Sequence, residues 1–412
     1  MNTSSTDSLF STPLCHQIIS KKLDNEDFSV IDFRQTPFGQ VKGFLGDHSS
    51  LKITIKRNSD LEQHNFFVKS IPTVKSQRDF VLDVNVFFKE KFFFTQFQDL
   101  LRQYSITVLD NAIPTCYHTD GNIFVFEDLA QSSYTSISCR TSLDIESVKV
   151  ALKSIVKLHA SAIILEEKKS FRLIDSFSEE LAETFYSDKE MVKKAEASYH
   201  HGFNALLDLT HDSEMKMSKD LLREKLLKGY RLQHAFVKPS TVFRNTILHG
   251  DLWTNNMMFK FEDGRPVNCV IVDFQSHRYG PPAQDVVAFL HLTTNREFRK
   301  THFEEALQFY YHEFDSLLGR FGLGGIISED EFFASCDFFK QFALTQACTH
   351  LQMVALSEEI AAELLADPAK AQFVLYENKY DFVVAASQKD EIYRGMNFET
   401  FAELREFYEN EL

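Results

Sequence analysis

Apolar positions along this chain change period more than once, and the changes divide it. Leu51, Ile53 and Ile55 alternate with polar neighbours at a step of two, which predicts a strand. Val30 to Phe33 and Phe66 to Ile71 read as further strands, the latter stopped by Pro72. From Arg78 to Tyr104 the spacing turns helical, with Phe80, Val84, Phe87, Phe94, Phe97 and Leu101 falling on one face. A short apolar strand, Ile123 to Phe126, leads into the polar stretch Gln131 to Arg140, where a boundary is expected. Beyond it the chain is mostly helical. Val148, Leu152, Ile155, His159 and Ala162 mark one helix face, and Phe303, Leu307, Tyr310, Phe314, Leu317 and Phe321 another, ended by Gly322. One β-rich island, residues 247 to 275, interrupts the helices.

Composition narrows what such a chain does. Its 412 residues allow two domains with a large buried core, and 44% apolar with 25% charged residues is ordinary for a globular protein. The 41 phenylalanines, against one Trp, read first as core filling. A net charge of −15 and the absence of any basic run of five argue against a nucleic-acid substrate. The six cysteines are scattered without a CxxC pair, so a reducing compartment is expected rather than a disulfide framework or zinc site. Residues 1 to 22 lack the apolar run of a signal peptide, and nothing approaches the ~20 apolar residues of a membrane span. The expectation is a soluble, cytoplasmic protein of undetermined oligomeric state.

Most of the chemistry sits in the island. His249-Gly250-Asp251 is followed, five residues after Asp251, by Asn256; then come an apparent strand, the turn cluster Glu262 to Pro266, and a second strand ending at Asp273. A hairpin pivoting near Gly264 and Arg265 brings Asn256 and Asp273 side by side at its open end, with Asp251 on the loop before them. An amide oxygen beside a carboxylate suits Mg²⁺, which takes hard oxygen ligands and keeps room for phosphate oxygens. A further Asp orients an attacking hydroxyl and accepts its proton. That is the division of labour in kinase-type phosphoryl transfer, which makes Asp251, Asn256 and Asp273 the catalytic candidates and Asn256 with Asp273 the metal ligands. A glycosidase-like carboxylate pair is the rival chemistry, and it leaves Asn256 without a role.

The first part of the chain supplies matching pieces. Lys69 lies in a short apolar strand, and Glu90 lies on the apolar face of the Arg78 to Tyr104 helix. Each costs several kcal/mol if buried alone, so the two are expected to pair and to grip nucleotide phosphates. A phosphate loop should precede Lys69. The candidate is Gly39 to His48, with Gly43 and Gly46, although its spacing is not GxGxxG. Glu127 and Leu129, at the end of the Ile123 strand, are candidates for main-chain contacts to adenine. Asp32 reads as an ordinary strand residue and His159 as a satisfied core histidine.

Leu248 to Phe259, with its HGDLWTNN core, resembles the catalytic loop of the ecdysteroid kinase-like family, relatives of choline kinases and aminoglycoside phosphotransferases. Val272-Asp273-Phe274-Gln275, Arg278 to Asp285, Phe67-Val68-Lys69, the Lys89-Glu90 helix and Glu127-Asp128-Leu129 match its pattern in order. The resemblance implies an α+β, bilobal protein-kinase-like fold. An N-lobe of residues 1–130 would hold an antiparallel sheet and one helix. A mainly helical C-lobe of residues 131–412 would hold the catalytic loop and the acceptor pocket. It implies ATP and Mg²⁺, a lipophilic hydroxylated acceptor such as an ecdysteroid, and for Asp285 a hydrogen bond to the catalytic-loop backbone. Choline or ethanolamine is the alternative acceptor. A non-catalytic pseudokinase binding nucleotide or a hydrophobic ligand is the alternative from another class.

Overall fold

The computed structural model describes residues 9–38, 45–187, 189–210 and 216–410. Within them the chain forms two compact units, Met1–Gln98 with Ile113–Thr135, and Asp99–Ala112 with Ser136–Leu412.

The first unit is built on a five-stranded antiparallel sheet. In chain order it contains α1 (Thr12–Leu23), β1 (Ser29–Pro37), β2 (Asp47–Arg57), β3 (Asp60–Ser70), α2 (Lys75–Asp83), α3 (Val86–Phe92), β4 (Cys116–Thr119), β5 (Ile123–Glu127) and the two-residue β6 (Tyr134–Thr135). Sheet order is β1-β2-β3-β5-β4. The period-two pattern is visible in the packing. Leu51, Ile53, Ile55, Phe66, Val68, Ile123 and Val125 point to one face and pack under Cys15, Ile18 and Ile19 of α1. Helix α1 was not anticipated, because only these few apolar residues mark it; Pro13 in its first turn and the Ser11 side chain on the Leu14 N–H set its start.

The other face meets α3, where the expected single helix over residues 78–104 is corrected. Asn85 takes a left-handed conformation (φ 57°) between α2 and α3, and Phe93–Phe97 widens into a π-helical turn before α4 (Gln98–Gln103). The Phe-rich run causes no break in periodicity that a sequence reading detects, yet it packs through ring contacts. Phe87 lies 5.6 Å from Phe124, and Phe94 lies 4.8 Å from Phe126.

The second unit is mainly helical. It runs through α5 (Ile145–Lys169), α6 (Leu173–Ser176), α7 (Glu190–Thr210), α8 (Lys219–Phe236), β7 (Thr246–Leu248), β8 (Met257–Glu262), β9 (Arg265–Ile271), β10 (Arg278–Gly280), α9 (Pro282–Thr293), α10 (Arg296–Gly319) and α11 (Glu329–Val354). Four helices close it: α12 (Glu358–Leu365), α13 (Pro368–Tyr376), α14 (Tyr380–Lys389) and α15 (Glu391–Glu409). The acidic tail is tied down electrostatically as well as by packing: Arg299 donates to Glu403 at 2.8 Å and Arg296 to Glu406 at 2.5 Å. Among the described residues no helix is long and apolar enough to cross a membrane.

Candidate functional site

In the first unit, strand alternation puts Lys69 on the face opposite Phe66 and Val68, and α3 brings Glu90 over it. Lys69 Nζ donates to Glu90 Oε2 at 2.6 Å, and the two residues are 5% and 1% exposed. In so dry a place the bond is charge-assisted and strongly fixes both side chains. The Lys69 ammonium also lies 5.6 Å from the Phe87 ring centre. Gly46 sits just ahead of β2, alongside the stem of Lys69. Gly43 lies outside the described residues. Glu127 ends β5 with its N–H given to the Thr115 carbonyl at 2.9 Å and its side chain accepting the Thr115 N–H at 2.7 Å. Leu129, which follows it at the start of a short 3₁₀ turn, is buried.

In the second unit β7 and β10 pair antiparallel, Leu248 opposite Arg278, and clamp the two ends of the island together. The loop from His249 is then held from several sides. Asp285, at the start of α9, accepts the backbone N–H of His249 at 2.6 Å and of Gly250 at 3.0 Å, the backbone role expected for it. Burial raises the pKa of that carboxyl, but the hydrogen bond and charge of His159, with the charges of Arg278 and His249, together outweigh it and hold it below the ordinary range. His159 is a core histidine, 0% exposed, between Asp285 and the Tyr310 hydroxyl, which lies 2.6 Å away. Gly250 has φ +82°, and a Cβ there would lie 2.3 Å from the Ser276 carbonyl oxygen, so only glycine fits.

Asp251 follows directly. The Asn256 side-chain amide donates to the Asp251 backbone carbonyl at 2.9 Å and to its carboxylate Oδ2 at 3.0 Å. Both contacts use the amide nitrogen, so the Asn256 side-chain oxygen takes no part in them. The hairpin register differs from the expected one by a residue. Met257 pairs with Ile271, a bulge falls at Lys260 and Phe261, and the Val272 N–H reaches the Asn256 carbonyl at 2.9 Å. Asn256 is thus opposite Val272, and Asp273 is one residue further on. The turn is tight at Asp263 and Gly264, both at positive φ. Asp273 itself is left-handed (φ 69°), and its Oδ2 accepts from Gln275 Nε2 at 3.0 Å. A non-glycine residue held there marks a constrained position.

Two contacts were not legible in the sequence. His350, from α11, stands with Nε2 3.5 Å from Asp251 Oδ1 and edge-on to Trp253 at 5.7 Å. Arg278 donates to the Gly250 carbonyl at 3.4 Å and to Glu183 at 3.1 Å. Both partners are remote in sequence, and no local pattern announces them. Among the described residues no group of three or more His, Cys, Asp or Glu is placed to hold a metal. An amide oxygen and one carboxylate fit a hard cation only if phosphate or water oxygens complete its shell, which is how Mg²⁺ is commonly bound with nucleotides.

Fold and motifs together define a small-molecule phosphotransferase that acts on a hydroxyl group. The chain belongs to the ecdysteroid kinase-like family, whose model matches residues 42–323. No curated protein matches it. Solved structures that it resembles include a choline kinase from Streptococcus pneumoniae, at 13% identity and a TM-score of 0.33, covering 81% of this chain and 98% of that one. A microcompartment-associated aminopropanol kinase aligns at 12% and 0.34, covering 86% and 97%. An aminoglycoside phosphotransferase from Streptomyces rimosus, in complex with ADP and streptomycin, aligns at 11% and 0.32, covering 76% and 92%.

Proposed function

We propose that this protein transfers the γ-phosphate of ATP to a hydroxyl of a lipophilic small molecule, a steroid of the ecdysteroid type. The observation that carries the chemistry is the Asp251–Asn256 pair: one amide holds both the backbone and the carboxylate of Asp251. Asp251 Oδ1, which faces His350 Nε2 at 3.5 Å, would orient the acceptor hydroxyl and take its proton as the oxygen attacks phosphorus. Lys69, fixed by Glu90, binds α- and β-phosphate oxygens, with the residues around Gly46 beside it. Glu127 and Leu129 offer main-chain groups to adenine. Asn256 and Asp273 would hold Mg²⁺, which when bound neutralises charge on the β- and γ-phosphates.

The steroid acceptor rests on the family. A choline-type acceptor needs an aromatic box for its cation, and the sole Trp is already packed edge-on against His350. The test is a panel of ecdysteroids, other hydroxylated lipophiles and choline, incubated with Mg-ATP and read by mass spectrometry. Phosphorylated steroid supports the reading. Phosphocholine alone replaces the acceptor class, and ATP binding without any product replaces the enzyme with a pseudokinase.

A further inference from the structure

The Asp251 carboxylate is hydrogen-bonded through one of its two oxygens. Its Oδ2 accepts from the Asn256 amide at 3.0 Å, while its Oδ1 faces His350 Nε2 across 3.5 Å. Hydrogen bonds between nitrogen and oxygen close at about 2.7–3.2 Å, so this second pair stops short of one. Among the described residues no hydrogen bond engages either ring nitrogen of His350. The His350 and Asp251 side chains are 28% and 19% exposed, so both keep surface that a ligand can reach.

Two contacts hold His350 in that place. Its ring meets Trp253, on the catalytic loop itself, with centres 5.7 Å apart and planes at 69°. Two turns earlier on α11, the Arg278 guanidinium lies over the Phe342 ring, 5.6 Å from its centre, and Arg278 donates to the Gly250 carbonyl at 3.4 Å. Helix α11 therefore reaches the loop at two points, through Phe342 and Arg278 to Gly250 and through His350 to Asp251 and Trp253. All of these residues belong to the second unit.

We propose that His350 is a second catalytic residue of the transfer: its Nε2–H donates to the acceptor's hydroxyl oxygen while Asp251 Oδ1 accepts the hydroxyl's proton. The inference rests on the kinase reading above and adds to it the group that sets the direction of attack. Two atoms 3.5 Å apart can both reach one oxygen, about 2.7 Å from Oδ1 and about 2.9 Å from Nε2. An alcohol oxygen in that notch points its proton at Oδ1, accepts from Nε2 on one lone pair and keeps the other for phosphorus. As the new O–P bond forms, the bond from the γ-phosphorus to the bridging oxygen breaks. The hydroxyl proton passes to Asp251 Oδ1, ADP leaves, and His350 keeps its own proton. An alkylammonium offers Nε2 no lone pair, so the notch selects alcohols over amines. His350 lies beyond residue 323, where the family match ends, so the family assignment does not supply this role.

The experiment compares wild type with His350→Phe and His350→Gln, using Mg-ATP and the acceptor panel above, with initial rates read by mass spectrometry over both substrate concentrations. His350→Phe keeps a ring against Trp253 and removes the donor, whereas His350→Gln gives up the ring and keeps an N–H. For whichever acceptor wild type phosphorylates, His350→Phe should lower kcat/KM for the acceptor by about 10- to 100-fold, with the KM for ATP unchanged. His350→Gln should recover part of that loss. A role in packing alone predicts the reverse order, with His350→Phe active and His350→Gln impaired. Unchanged kcat/KM in His350→Phe, a loss in His350→Gln as deep as in His350→Phe, or a raised KM for ATP in both overturns the role. Transfer by wild type leaves the kinase reading standing in each of those cases. No transfer by wild type to any member of the panel sinks the kinase reading, and this inference with it.

Discussion

Lys69 and Glu90 are 5% and 1% exposed and 2.6 Å apart, so each is tolerated in its place because of the other. Lys69→Ala should therefore cost about 3–5 kcal/mol of stability, since the Glu90 carboxylate loses its ammonium in a dry site. The double variant Lys69→Met with Glu90→Gln should recover most of that in urea unfolding and none of the phosphate transfer. Lys379 behaves in the opposite sense. Its pKa is lowered to about 7 by burial, from 10.5 for the free side chain. Between those values the unfolded chain holds a proton that the folded protein lacks, so stability rises with pH above about 7 by up to ~1.4 kcal/mol per unit. Below about pH 7 both states are protonated, and the burial penalty is felt in full. Urea unfolding at pH 6.5, 7.5 and 8.5 should show this rise in wild type and lose this component in Lys379→Met.

At the scale of elements, the catalytic loop is held by backbone contacts whose failure is calculable. Gly250→Ala forces a Cβ to within 2.3 Å of the Ser276 carbonyl, at φ +82°. The β7–β10 clamp must open to admit it, and kcat should fall by at least tenfold with a lowered Tm. Asp285→Asn keeps the shape but offers one acceptor oxygen where two now serve His249 and Gly250. It should cost about 3 kcal/mol and disorder the loop, read by the fluorescence of the single Trp253. The strands, the island and the Lys–Glu pair were legible because alternation and turn residues are local signals. The register was missed by one residue because the turn pivots at Asp263 and Gly264 rather than at Gly264 and Arg265, and the bulge at Lys260 and Phe261, which a hydrophobic pattern does not mark, recovers only part of that shift. The break at Asn85 and the π turn at Phe93–Phe97 were missed for a related reason: a Phe-rich run stays apolar on every face, so its period hides the change of helix. His350 and Arg278 were out of reach altogether, since their partners come from distant parts of the chain.

For the whole molecule, a family assignment over residues 42–323 fixes the class of reaction and not the acceptor. The acidic surface implied by a net charge of −15 suits a neutral lipophile better than a polyanion. The central claim is that Asp251, braced by Asn256, is the base that activates an acceptor hydroxyl. The most direct measurement is the single-turnover rate of γ-phosphate transfer from Mg-ATP to a hydroxylated steroid, in wild type and in Asp251→Ala with equal nucleotide occupancy. The account predicts phosphorylated steroid from wild type and a rate lower by about two to four orders of magnitude in the variant. Equal rates in the two proteins would contradict it.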